Sequence, residues 1–308
     1  MPKSGQEWEN SFLLGHPLFH VFEPLAAHLR MAQFPTVEQL TDLAEAQRAL
    51  RAPEQSKLRF TPADKKPRRK KRTELVLEQL YDGSISLKGE VPCLVQSYHD
   101  LFNALAFAAF IRSKRTLHHR QFVALRSWAG DRAQLPGKRT REQDALTIFD
   151  EGGVIVLMDK AFAAAWRRST SATPIPAFAP ESGVVPLLFG HALLEHILYG
   201  HVQIRASAIV IELPHALSPE LDLLEVSDLY LSQRLADPLE FSEPGADVIF
   251  KMDGDLLSIG PPKPAWSAWT PGDKEAFTSC YRAKLGDACI NEHNRNNRSE
   301  QERGGADR

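Results

Sequence analysis

Between Leu101 and Ile111 only Asn103 is polar. Ser97 stands ahead of this run with Asp100 three residues on, the shape of a capping box, so the stretch reads as a helix starting at Ser97. A helix that is apolar on most faces has no side to give to water and must be enclosed by the rest of the chain. It is also far shorter than the about 20 residues a bilayer span needs. The fold therefore has to wrap around it. With 308 residues, 43% of them hydrophobic and 25% charged, the chain has the material to do so.

The remaining punctuation predicts an α+β fold, with apolar helices packed on a small mixed or antiparallel sheet in a single main domain. Thr36 caps a helix carrying Leu40, Leu43, Ala44 and Leu50 on one stripe. A further helix is expected over Thr116–Trp128 and another over Lys160–Arg168. The two β-branched runs in Thr147–Leu157 flank Gly152-Gly153 and predict a hairpin with a tight turn. Ser171–Pro186 reads as a loop. Pro186 is expected to open a second apolar helix that stops near Tyr199-Gly200. Ala208–Leu213 reads as a buried strand and Leu221–Leu235 as a helix. Val248–Phe250 and Leu256–Ile259 read as a hairpin about Asp253-Gly254.

The domain plan that follows has a helical segment at 1–52 and a basic, proline-containing loop at 53–73. The main globular domain is 74–288, and 289–308 is a disordered tail of Asn, Arg, Glu and Gly. The formal net charge is only −2, so the chain as a whole is not built to coat nucleic acid or an anionic membrane. One exception is local. Lys65, Lys66, Arg68, Arg69, Lys70, Lys71 and Arg72 form a basic run that could contact a polyanion, but it has no interleaved aromatics and a solvated loop is the better reading. Three cysteines, Cys93, Cys280 and Cys289, with no C-x-x-C pair, fit a reducing, cytoplasmic compartment better than a disulfide framework. Met1–Asn10 has no apolar core and is not expected to act as a secretory signal.

Two polar pairs break the apolar helices. His99 and Asn103 are four residues apart, and so are His191 and Glu195, so each pair shares a helix face. Buried polar groups must find partners, because an unpaired one costs about 1–3 kcal/mol. Two elements with the same arrangement are therefore expected to meet in one polar cluster. Asp150 is expected to join it, whereas Glu151 beside Gly152-Gly153 is what a turn would use anyway. The candidate catalytic residues are His99, Asp100, Asn103, Asp150, His191 and Glu195. His191, Glu195 and His99 are the candidate ligands for a divalent metal. No G-x-S-x-G, P-loop, G-x-G-x-x-G or H-E-x-x-H motif occurs, which removes several common enzyme classes.

Three blocks in order carry a resemblance. They are Tyr98-His99-Asp100-Leu101-Phe102-Asn103-Ala104-Leu105, the run Asp144–Gly153, and Phe189-Gly190-His191-Ala192-Leu193-Leu194-Glu195. Together they resemble the signature blocks of a bacterial family, domain of unknown function 3025, over roughly residues 55–285. That resemblance brings no activity with it. From the residues, the leading expectation is a metal-dependent or general acid–base hydrolase. A non-catalytic binding protein acting through the basic run and a scaffold with a buried polar network are the alternatives.

Overall fold

The computed structural model describes residue 8 and residues 12–25, 32–63, 76–130, 138–242, 244–245 and 248–262. The basic run at 65–72, the tail, Cys280 and Cys289 lie outside the described residues. A short turn of helix, α1 (Phe12–Gly15), precedes α2 (Val37–Arg51). Strand β1 (Arg59–Pro62), helix α3 (Tyr81–Lys88) and strand β2 (Glu90–Cys93) follow. Helices α4 (Tyr98–Ala109), α5 (Ile111–Ala129) and α6 (Arg141–Gly152) lead into β3 (Gly153–Met158). Next come α7 (Lys160–Arg167), β4 (Thr173–Ile175), β5 (Val184–Leu188) and α8 (His191–Leu198). The described chain ends through β6 (Gln203–Glu212), α9 (Leu223–Ala236), β7 (Val248–Asp253) and β8 (Leu256–Ile259). The architecture is α+β, as the pattern predicts.

Six strands form a mixed sheet in the order β4-β8-β7-β6-β3-β5. The β3–β6 pair is parallel and the others are antiparallel. All six residues of β3 are buried, as an apolar run covered on both sheet faces requires. A second, two-stranded parallel sheet joins β1 to β2. Thus the loop expected at 53–73 contains a strand.

Helix α4 is enclosed as its composition demands, with every residue from Leu101 to Ala109 buried. Part of its cover comes from the N-terminal segment. Phe12 meets the Phe102 ring edge-on at 5.4 Å between centroids, and Phe19, Phe22 and Leu43 belong to the same continuous core. The described N-terminal residues are therefore built into the main domain rather than set apart from it. Among the described residues no helix is long and apolar enough to cross a membrane.

Two expectations about backbone are corrected. Residues 141–152 form a helix, not the first strand of a hairpin. Thr140 and Gln143 make a reciprocal capping box, and the Thr147 hydroxyl donates to the Gln143 carbonyl one turn back at 2.7 Å. Gly153 has φ −82°, so no left-handed turn is present. What glycine supplies there is space: a Cβ would sit 2.5 Å from the Phe149 carbonyl oxygen. The second correction concerns Pro186, which lies inside β5 opposite Val156. β5 is an edge strand, the place where a missing N–H is tolerated, and α8 begins only at His191. Other differences are of extent. Helix α5 starts at Ile111, five residues before the expected Thr116, and β4 interrupts the expected 171–186 loop.

Candidate metal centre

The antiparallel register of β3 and β5 builds the site. Val154 pairs with Leu188, so the start of β3 lies beside the end of β5. The Phe189 and Gly190 N–H groups both donate to the Gly153 carbonyl, at 3.1 and 2.9 Å. Gly190 passes so close to the end of α6 that a Cβ would lie 2.5 Å from the Glu151 carbonyl oxygen and from the Gly153 nitrogen. This close approach sets the first residue of α8, His191, against the last turn of α6, which carries Asp150 and Glu151. Helix α4 packs across α8 and adds His99 from its own first turn, behind the Ser97 cap.

The three side chains converge. His191 Nε2 is 3.3 Å from His99 Nε2 and 3.2 Å from Glu151 Oε2, and one ligand atom from each of the three lies within 4.8 Å of the others. The far side of each ring fixes which nitrogen faces the centre. His191 Nδ1 is 3.0 Å from the Asp150 backbone carbonyl, an acceptor only, so Nδ1 carries the hydrogen. His99 Nδ1 is 3.2 Å from Glu195 Oε2 and likewise donates. In their neutral forms both rings then turn a bare Nε2 lone pair toward the Glu151 carboxylate. Three acceptors aimed at one point repel each other unless a proton on one imidazole or a cation lies among them. Imidazoles whose Nδ1–H is held by a carbonyl or a carboxylate are the usual arrangement around a bound metal.

Solvent reaches the cluster from the His99 side, whose side chain is 46% exposed, while the His191 side chain is 4% exposed. Burial works against charge on His99, but the Glu195 hydrogen bond and the charges of Glu151, Glu195 and Asp100 outweigh it and raise its pKa. Burial, together with the nearby Lys114 and His99 charges, holds His191 well below the usual histidine range.

A second polar layer lies underneath. Lys114 of α5 is fully buried and donates to Asp150 Oδ1 at 2.6 Å and to Asn103 Oδ1 at 2.9 Å. Its ammonium also lies 4.8 Å from the Phe107 ring centroid. Asn103 donates in turn to the Tyr81 hydroxyl at 2.7 Å. Burial opposes the Asp150 charge, yet Lys114, His118 and His191 together hold its carboxyl well below the usual carboxylate range. His118 is buried too, with Nδ1 on Asp82 Oδ1 at 2.9 Å.

Of the residues singled out by sequence, His99, His191 and Glu195 come together with Asp150 beneath them, but the roles differ from those expected. Glu195 is not placed as a ligand: it bonds the ring nitrogen of His99 that faces away from the centre. Asn103 spends its amide on Lys114 and Tyr81 inside the protein. Asp150 meets Lys114 with its carboxylate and His191 with its carbonyl. Asp100 has its N–H on Ser97 Oγ at 3.3 Å and reaches His99 only through its charge.

Glu151 is the carboxylate that sequence reasoning missed, because the hairpin assignment made it a turn residue. Reading 141–152 as a helix would have moved it next to the His191 block. Lys114 was missed as well. Its signal is a lysine on the stripe Lys114, Leu117, His118, Gln121, Phe122, the spacing of a buried helix face.

The family described as protein of unknown function (DUF3025) matches residues 70–246, a span that holds every residue of both polar layers. No match was found among curated proteins or among solved structures.

Proposed function

We propose, for a chain that belongs to the DUF3025 family, a hydrolase that depends on one divalent metal ion held by His99, His191 and Glu151. The observation that carries this reading is the convergence of two imidazole Nε2 atoms and one carboxylate oxygen, with both Nδ1 atoms already committed to acceptors. Two histidines and one carboxylate form a recurrent ligand set for zinc and similar first-row ions, and three protein ligands leave a position open. An ion there would act as a Lewis acid and bring the pKa of a bound water to about 7. The partly exposed His99 gives a substrate access to that position from solvent. Glu195 keeps His99 in the correct tautomer, and the Asp150 carbonyl does the same for His191. A cytoplasmic setting suits the three cysteines, none of them in a C-x-x-C pair.

The test is metal analysis of the full-length protein after dialysis against zinc, with nitrophenyl esters and amides as hydrolysis reporters. One equivalent of tightly held metal is expected, lost in His191→Ala and Glu151→Ala. Any hydrolysis should disappear with a chelator and return with zinc. Wild-type protein that retains no stoichiometric metal would end this reading.

A further inference from the structure

We infer that the buried Lys114–Asp150 pair is a positioning device for the ligands of the proposed metal centre, an inference that rests on the metal-binding reading above. Lys114 stands at a junction. Its single ammonium holds Asn103, one turn along α4 from His99, and Asp150, the neighbour of Glu151 at the end of α6. Asp150 then fixes the third ligand, because its carbonyl accepts the His191 Nδ1 hydrogen. All three ligand-bearing elements are tied through one cation.

Stability alone gives little reason for this arrangement. A buried ion pair gains in attraction roughly what it loses in desolvation, and apolar residues of the same volume usually serve a core as well or better. From Leu101 to Ala109 helix α4 is apolar apart from Asn103, and Phe107 and Phe189 already line the ammonium. A lysine with a hydrogen-bonded carboxylate and amide does what a methionine there cannot: it fixes direction. The Asp150 side chain can turn neither toward the centre as a competing ligand nor away from Lys114. The peptide that carries its carbonyl is held with it. Loss of this tie lets the His191 ring swing and the Glu151 carboxylate drift, while the core stays filled.

The experiment uses the full chain with the paired replacement Lys114→Met with Asp150→Leu, which removes both charges together and keeps the volume. Zinc affinity is measured by competition with a chromophoric chelator, and thermal stability is measured on the same samples. In the metal-free state, long-range proton–nitrogen NMR of the imidazoles reports the His191 tautomer. The expected result is a fall in zinc affinity of about 10–100-fold with little change in Tm. The metal-free spectrum should change from one Nδ1–H tautomer to a mixture. Should the pair fail to fold, Asp150→Asn decides by the metal-free tautomer, because the Lys114 charge it leaves unpaired lowers Tm in any case: a mixture of tautomers with lower affinity supports the device. Unchanged affinity and an unchanged tautomer overturn it, as does a lower Tm with both of those intact. Wild-type protein that binds no zinc defeats the metal reading, and the tautomer readout still decides whether the pair orients His191.

Discussion

Gly190→Ala separates the geometry of the site from its chemistry. Gly190 has φ −69°, which alanine adopts freely, so any effect must come from the added methyl group. That group would meet the Glu151 carbonyl oxygen and the Gly153 nitrogen at 2.5 Å, and both are backbone atoms that cannot rotate aside. Ordinary contact begins near 3.4 Å, so α8 and the end of α6 must part by nearly an ångström. Overpacking of this kind costs about 1–3 kcal/mol. Weakening the two hydrogen bonds to the Gly153 carbonyl adds about 0.5–1.5 kcal/mol each. A total of about 2–6 kcal/mol is expected, against the about 5–15 kcal/mol that holds a typical domain folded. The same displacement separates His191 from Glu151 by several times the about 0.2 Å that metal–ligand distances tolerate. Zinc affinity should fall by about 100-fold or more, beyond the usual effect of a change behind the ligands. The control is Gly152→Ala, whose methyl group meets nothing within 4 Å and whose helical position favours alanine by about 0.5–1 kcal/mol. Urea denaturation and chelator competition on both variants provide the assay. A Gly190→Ala protein with wild-type midpoint and wild-type affinity would refute the argument that this contact sets the site.

Other consequences can be checked with the same assays. Thr140→Ala removes the arm of the α6 capping box in which the Thr140 hydroxyl accepts from the Gln143 N–H, leaves the Gln143 arm to the Thr140 backbone N–H, and should cost about 1 kcal/mol in urea denaturation; no loss would mean the hydroxyl does not hold the helix start. Glu195→Gln should weaken zinc about tenfold without abolishing it, whereas Glu151→Ala should abolish it; equal losses would make Glu195 a ligand. Burial pushes the Asp228 carboxyl up to about 6, even though the Ser113 and Arg112 hydrogen bonds pull it down. Its folded-state pKa is thus above the unfolded value, so the folded protein holds this proton more tightly. Its contribution to stability is therefore full below pH about 4 and declines as pH rises through about 6. Asp228→Asn should flatten that part of the Tm-against-pH curve; an unchanged slope would remove Asp228 as its cause.

Elements with local signals were legible in the sequence, and elements fixed from a distance were not. The Thr36 cap, the Asp253-Gly254 hairpin with Gly254 at φ +59°, and the enclosed α4 each announce themselves within a few residues. The start of α5 does not. Its first free N–H groups, on Arg112 and Ser113, are capped by the Asp228 carboxylate of α9 at 3.0 and 2.8 Å, and no local residue marks that helix as beginning at Ile111. Gly152-Gly153 misled because a glycine pair serves a tight turn and a close helix–strand passage equally well. Only the neighbour, here Gly190 on another element, separates the two. The histidines were legible for a simple reason: polar residues on apolar helices must meet partners, and these two met each other. Which carboxylate joined them depended on the β3–β5 register, which no spacing within one segment contains.

Charge balance explains why the two polar layers differ in what they can hold. In the inner layer the fully buried Lys114 ammonium meets the Asp150 carboxylate, and that pair is neutral by itself. The outer layer differs. In the neutral form that a metal ligand requires, the two imidazoles bring no charge, so the formal charge beside them is that of the two carboxylates, Glu151 and Glu195. One divalent cation matches that charge and accepts the ligand lone pairs together. A monovalent cation would leave half of the charge uncompensated in a partly buried site, where attraction and repulsion are both stronger than in water. The same sum predicts that Glu195→Lys, which turns the outer layer neutral while leaving His99, His191 and Glu151 in place, weakens zinc far more than Glu195→Gln does. Equal affinities for the two variants would show that orientation, and not charge, is what Glu195 contributes.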